Sequence, residues 1–184
     1  MSKLTDEERE SRRFNRAMNT ARAKRLSTLK NEAASALQEA VRAEYGAKTE
    51  RVKFWDCGLS KICSMPVLSG FCACVTCGHC RWWKGKGSVW GTMHAGHFLP
   101  SRRLSILFDE RNIHPQCSGC NKASGNPAAY FQFMLAEYGQ EVIDDLHRLK
   151  HQGDVKFDRE DYVRMRLSYL DRTKAAVKNM GEQE

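Results

Sequence analysis

Neither proline nor glycine occurs in the first 45 residues, so nothing local interrupts a helix there. No apolar stretch in the 184 residues is long enough for a signal peptide or a membrane span, and the first 50 are strongly hydrophilic. That argues against membrane insertion and predicts a reducing cytoplasm rather than export. Without an export signal the eight cysteines do not read as a disulfide framework, because thiols in a reducing compartment serve metals more often. No internal repeat or low-complexity tract is visible, which excludes a repeat array. Acidic residues are in deficit: the net charge is +8 and the pI about 9.2, which favours an anionic partner.

The charge is unevenly placed. Residues 1–53 hold 13 basic and 8 acidic side chains, residues 54–130 hold 8 and 3, and residues 131–184 hold 9 and 11. A nucleic-acid-facing surface is therefore expected on the first two segments. Within the middle one lie two Cys-x-x-Cys pairs, Cys74/Cys77 and Cys117/Cys120. Each short loop can turn both thiolates onto one ion, and two such knuckles supply the four sulfurs of a structural zinc site. Cys57, Cys63, Cys72 and Cys80 have no pairing that spacing dictates; Cys72 or Cys80 could exchange into the site, but all four read as small buried hydrophobes.

Along the chain, Thr5-Asp6-Glu7-Glu8 offers a helix cap, and one long helix is expected up to Tyr45, with Gly46 as its stop. Between Arg9 and Lys30 it is strongly basic and poor in apolar residues, so it reads as a solvated arm or as one that tracks phosphates. Ala34, Leu37, Val41 and Tyr45 share a face that should dock on the core. Residues 70–98 read as a β-hairpin, Phe71 to Val75 returning as Val89 to Phe98 after a Gly85-Lys86-Gly87 loop; Trp82 and Trp83 either stack on a base or cap the zinc site. Helices are expected from Pro127 to Tyr138 and Gln140 to Lys150, separated by Gly139. A last helix starts at Asp158, with Val163, Leu167, Leu170 and Val177 as its apolar stripe.

Between and after the knuckles stand His94, His97, Asn112 and Asn121, the polar groups a phosphodiesterase needs. Read in order, His97, Asn112 and Asn121 resemble the series of the HNH (His-Me finger) nucleases. The fuller pattern is Cys-Val-Thr-Cys-Gly, Ala-Gly-His-Phe, Asp-Glu-Arg-Asn-Ile-His-Pro-Gln-Cys-x-x-Cys-Asn, then Ser-Gly-Asn and a Tyr. It is similar to the phage recombination nucleases of the NinG (Rap) family over roughly residues 55 to 150.

The resemblance implies an α+β fold: a zinc-braced ββα-metal (HNH) core at 51–150, a basic helical arm at 1–50 and a C-terminal helix at 151–184. In that pattern a short helix at Phe54 to Lys61 precedes the first knuckle. The implied activity is metal-dependent DNA endonuclease hydrolysis of branched recombination intermediates such as Holliday junctions and D-loops, in the host cytoplasm if phage-encoded. His97 would be the general base. Asn112 would tie the loop to the hairpin, and Asn121 would bind a catalytic magnesium, with manganese as an alternative and Asn126 as the runner-up ligand.

Gly96 departs from the pattern, since the residue before the base usually binds metal. His94, an odd offset away and so on the opposite strand face from His97, is the nearest substitute. His79 and His114 read as packing or supporting residues. Phosphate contacts are expected from Arg12, Arg13, Arg16, Arg22, Lys24 and Arg25 on the arm, and from Lys84, Lys86, Arg102, Arg103 and Lys122 on the core. A homodimer through the last helix would provide two incisions. Two alternatives stay open: a non-catalytic zinc-containing DNA-binding protein, and a general HNH nickase.

Overall fold

The computed structural model describes residues 5–48, 51–56, 58–84, 91–100, 103–122, 125–153 and 155–181. Helices α1 (Asp6–Ala21) and α2 (Leu26–Gly46) come first. Three two-stranded antiparallel sheets follow, β1 (Val52–Asp56) with β2 (Lys61–Met65), β3 (Phe71–Ala73) with β4 (Cys80–Trp82), and β5 (His94–His97) with β6 (Ile113–Gln116). A one-turn helix α3 (Leu104–Leu107) and a 3-10 turn (Glu110–Asn112) sit between β5 and β6, and α4 (Pro127–Tyr138), α5 (Gln140–His151) and α6 (Arg159–Gly181) complete the chain. The mixed α+β class agrees with the sequence. No helix among the described residues is long and apolar enough to cross a membrane.

The capping box forms as expected: the Thr5 hydroxyl accepts from the Glu8 amide at 3.2 Å, and the Glu8 carboxylate accepts from the Thr5 amide at 2.8 Å. The single helix to Tyr45 does not form. It breaks at residues 22–25, although no proline or glycine lies there. The cause is remote: the Arg159 guanidinium, from the first turn of α6, donates to the carbonyls of Ala21 and, at 2.7 Å, of Lys24. It thereby adds a donor to the Ala21 carbonyl, which also accepts from the Lys24 amide at 3.0 Å, and to the Lys24 carbonyl in the turn. α1 then folds along α6, with Phe14, Ala17 and Met18 packed against Ala21, Leu29, Ala33, Tyr162 and Val163.

α2 and α6 form the main helical pair. Ala33, Ala36, Ala40 and Ala43 are buried on α2 beside Leu37 and Val41, and these small side chains let Tyr169, Thr173 and Ala176 of α6 approach closely. Burying Leu37 and Val41 contributes roughly 1.5–3 kcal/mol each. Arg172 ties the pair to the β5–β6 connection, bonding Glu44 at 2.7 and 2.8 Å and Glu110 at 2.8 Å. The stripe expected on the last helix packs mostly into the core. Val163 is buried and Leu167 and Leu170 pack within the chain, so only Val177, 43% exposed, faces outward.

Two strand expectations also change. Phe54 to Lys61 is not a helix: the Asp56 carboxylate accepts from the amides of Gly58 (2.9 Å) and Leu59 (3.0 Å), closing a turn between β1 and β2. Nor does the strand at His94 return against Phe71. β3 is closed at once by β4 through the first knuckle, and β5 pairs with β6 in the register His94↔Gln116, Gly96↔His114. Residues 85–90, where the loop and the start of the return strand were expected, lie outside the described residues. Val75 stitches the pieces together: its carbonyl accepts from the Trp55 amide at 2.9 Å and its amide donates to the Pro115 carbonyl at 3.0 Å.

α4 and α5 meet at Gly139 (φ 81), as read from the sequence. Tyr130, Phe133, Met134, Ile143 and Leu146 of this pair build a core with Val75, Leu99 and Ile106, which fixes the loop that follows β5.

Candidate functional site

Two tight turns bring the cysteines together. In the first, the Gly78 amide donates to the Cys74 carbonyl at 2.8 Å; in the second, the Asn121 amide donates to the Cys117 carbonyl at 3.0 Å. A side chain at Gly78 (φ 74) would lie 2.6 Å from the Phe54 ring, so the first turn needs glycine. The sulfurs of Cys74, Cys77, Cys117 and Cys120 all lie within 4.8 Å of one another, so the four could hold a metal such as zinc. Tetrahedral geometry with zinc–sulfur bonds near 2.3 Å places sulfurs about 3.8 Å apart, and Cys77 and Cys117 are separated by 3.8 Å.

The thiols also fit electrostatically. The neighbouring Cys77 thiol holds Cys74 below its ordinary value, while Cys77 itself is pushed up by the same interaction and by burial. A second thiolate needs a cation. Cys72 and Cys80 stay out of this group: the Cys72 thiol, raised to about 12 by burial, donates to the Arg42 carbonyl at 3.1 Å. Cys57 lies outside the described residues. Trp83, 4% exposed, packs on Cys72, Cys74, Met93 and Cys117 and so caps the centre. Trp82 is more exposed and meets Phe71 edge to face at 5.2 Å.

Beside this centre a cleft of about 610 Å³ is lined by His97, Phe98, Pro100, Gln116, Cys120, Asn121, Lys122, Gly125, Asn126, Pro127 and Tyr130. The knuckle sets its chemistry, because Gln116 precedes Cys117 and Asn121 follows Cys120. His97 stands at the end of β5, its Nε2 3.4 Å from the Leu107 carbonyl. A carbonyl only accepts, so Nε2 carries the proton and Nδ1 keeps a free lone pair. Burial holds this imidazole below its ordinary 6.5, partly opposed by the Leu107 bond.

Asn112 is fully buried. Its Oδ1 accepts from the Leu99 amide at 2.8 Å, and its Nδ2 donates to the carbonyls of Leu99 and Ile106, both at 3.2 Å. It clamps the loop after His97 and reaches no solvent. His94, on the Gly96 face of β5 by strand alternation, accepts at Nδ1 from Asn121 Nδ2 at 3.3 Å. Asn126 lines the cleft but spends its Oδ1 capping α4, accepting from Ala129 at 3.0 Å.

The sequence reading missed a buried relay behind the cleft. The Tyr130 hydroxyl donates to the Gly96 carbonyl at 3.0 Å, so its oxygen accepts from His114 Nδ1, also at 3.0 Å. His114 Nε2 therefore accepts from the Tyr138 hydroxyl at 2.9 Å. This chain of donors, which requires neutral His114, fixes the carbonyl next to His97.

Burial takes the His114 imidazole down to about 3. The unfolded chain takes up that proton near 6.5, so the native state binds fewer protons below it. The stability is complete above about pH 6.5 and is lost as pH falls toward 3. Urea unfolding at pH 5 should show about 2 kcal/mol less stability than at pH 7 from this residue. His114→Phe should remove that difference; an unaltered pH slope in the variant would clear His114 as its source.

Of the expected phosphate contacts, Arg12, Arg16, Arg22 and Arg25 are exposed on or beside α1. Arg13 is held by Asp171 at 2.5 Å and Lys24 by Glu32 at 2.6 Å. Arg103 donates to the Gln152 carbonyl at 3.1 Å, Lys84 lies over the Trp83 ring, and Lys122 faces the cleft. Lys86 and Arg102 lie outside the described residues.

The family model described as "Bacteriophage Lambda NinG protein" matches residues 2–179. Among curated proteins, "Protein ninG" of Enterobacteria phage H19B and that of Escherichia phage 933W are each 43% identical over 54 residues, covering 28% of this chain and 27% of theirs. "Protein ninG" of Escherichia phage lambda is 41% identical over 54 residues, 28% of this chain and 26% of its own. The aligned segment thus spans about a quarter of the length of these relatives. No solved structure matches the chain significantly.

Proposed function

The chain belongs to the NinG family, and from that membership we propose that it is a metal-dependent DNA endonuclease acting on branched recombination intermediates. The observation that carries this reading is the cleft that gathers His97, Asn121 and Lys122 beside the four-cysteine centre. The strand pair β5–β6, followed by the knuckle and α4, has the strand–strand–helix order of the ββα-metal core.

A phosphodiester resists attack because its charge repels nucleophiles and its alkoxide leaves poorly. His97 answers the first difficulty: neutral at pH 7, with Nδ1 free, it takes the proton of an attacking water. Asn112 holds the loop that orients it, and the Tyr130–His114 relay holds the backbone one residue before. Lys122 pairs with a phosphate oxygen. A magnesium or manganese ion held at Asn121, with His94 beside it, would supply charge stabilisation at the scissile phosphate.

The test is cleavage of labelled linear, flap and four-way-junction DNA by the zinc-loaded protein, with magnesium or with chelator. Magnesium-dependent cutting that prefers the junction supports the reading. Junction binding without cleavage returns the protein to a zinc-containing DNA-binding module, and equal nicking of linear duplex to a general HNH nickase. Light scattering on the same sample reads whether two copies assemble to make paired incisions.

Exposed arginines on and after α1 would anchor the DNA backbone. Replacing Arg12, Arg16, Arg22 and Arg25 by glutamine should lower the slope of log affinity against log salt by about 0.9 for each phosphate contact removed. An unchanged slope would take α1 out of the interface.

A further inference from the structure

Gly96 sits where two side-chain oxygens converge. A Cβ built on Gly96 would lie 2.0 Å from Gln116 Oε1 and 2.7 Å from Asn121 Oδ1. Both amides are turned that way by their nitrogens: Gln116 Nε2 donates to the Thr76 hydroxyl at 2.7 Å, and Asn121 Nδ2 donates to His94 Nδ1 at 3.3 Å. With each nitrogen occupied in this way, each amide oxygen faces Gly96. Gln116 is only 4% exposed, yet it lines the cleft with His97. Among the described residues no N–H or O–H donates to either oxygen.

Two carbonyl dipoles aimed at one point repel each other unless positive charge lies between them. Oxygen donors of this kind suit a hard divalent cation, which keeps several waters and takes a few protein oxygens. Gly96 makes the arrangement possible, since any larger residue would fill the point of convergence.

We propose that Gln116 is a ligand of the divalent cation in this cleft, its Oε1 and Asn121 Oδ1 binding the ion over Gly96. The proposal rests on the endonuclease reading and adds to it a ligand from the opposite strand. In this arrangement Thr76 and His94 are positioning residues, each orienting one amide. The centre is kept apart from the cysteines by chemistry, since amide oxygens favour magnesium or manganese while thiolates favour zinc.

Binding of Mn²⁺ to the zinc-loaded full chain, followed by electron paramagnetic resonance, tests this without relying on cleavage. Gln116→Leu should weaken Mn²⁺ binding on the order of tenfold, with zinc still one per chain. Gln116→Glu, which keeps the oxygen and adds charge, should bind Mn²⁺ more tightly than the wild type, and it remains informative if the leucine variant folds poorly. Gly96→Ala should lose Mn²⁺ as Gln116→Leu does. A wild-type protein that binds Mn²⁺ and cuts DNA, with Gln116→Leu and Gln116→Glu indistinguishable from it, overturns this proposal and leaves the endonuclease reading standing. A wild type that neither binds Mn²⁺ nor cuts overturns both.

Discussion

Cys117→Ser is expected to unfold the middle of the chain and to abolish stoichiometric zinc binding. Cys117 is buried in a cluster with Cys74, Trp83, Met93, Ala43 and Ala176, so the four-cysteine group and the core under α2 are one object. The three sheets around it have two strands each, of three to five residues, too few for independent stability in water. A structural zinc contributes on the order of 10 kcal/mol, comparable to the 5–15 kcal/mol that holds a whole domain together. Loss of one thiolate leaves the other three crowded and deprives the ion of its fourth sulfur. The measurements are elemental analysis and thermal unfolding followed by near-UV circular dichroism, with chelator as a second route to the same state. Cys72→Ser is the control. Its thiol bonds the Arg42 carbonyl rather than the metal group, so its cost should stay within about 1–3 kcal/mol. A Cys117→Ser protein that melts like the wild type, or a wild type with well under one zinc per chain, would defeat the claim.

What could be read from the sequence was what depends on nearby residues. The Cys-x-x-Cys spacings, the Thr5–Glu8 box and the Gly139 break each carry their cause within a few positions, and each appears in the structure. The break after Ala21 could not be read, because the group that caps it is Arg159, on the last helix. The partner of β5 is hidden from the sequence for a similar reason. Local alternation identified a strand at His94, but pairing with β6 depends on how the second knuckle folds back.

The site divides along the same line. His97, Asn112 and Asn121 were picked out by residue type and order, and the structure puts His97 and Asn121 on one cleft with Asn112 buried beneath the adjoining loop. Gln116 carries no signal in the sequence, being a neutral side chain at the end of a four-residue strand whose importance lies in what stands opposite it. His114 reads from the sequence as a packing or supporting residue. Only its burial between two tyrosine hydroxyls shows that it must be neutral and directional. A usable signal was present in Tyr45, Tyr130 and Tyr138, three tyrosines on helices that could each face one histidine.

His97→Ala is expected to lower the turnover number for DNA cleavage by 10²-fold or more while leaving the fold and DNA affinity in place. General bases typically contribute 10²–10⁴-fold, and the ring is only half-buried at the end of β5, bonded to the rest of the chain by the long contact to Leu107. Removing it therefore deletes a proton acceptor without opening the clusters beneath α4 and α5. Single-turnover kinetics with saturating junction DNA would separate the two effects: kcat should collapse and Kd should change by no more than about threefold, the pattern of a group that acts mainly in the transition state. The pH profile gives a second readout. Burial holds His97 below 6.5, so wild-type cleavage should be at its plateau at pH 7 and decline on the acid side as the imidazole takes up a proton. In His97→Ala that decline should vanish, and added imidazole should restore part of the rate because it supplies the missing base. Raising the Mn²⁺ concentration should rescue Gln116→Leu but not His97→Ala, since the first lacks affinity for the ion and the second lacks the base. Undiminished cutting by His97→Ala, with the acid decline intact, would assign the proton transfer to another group.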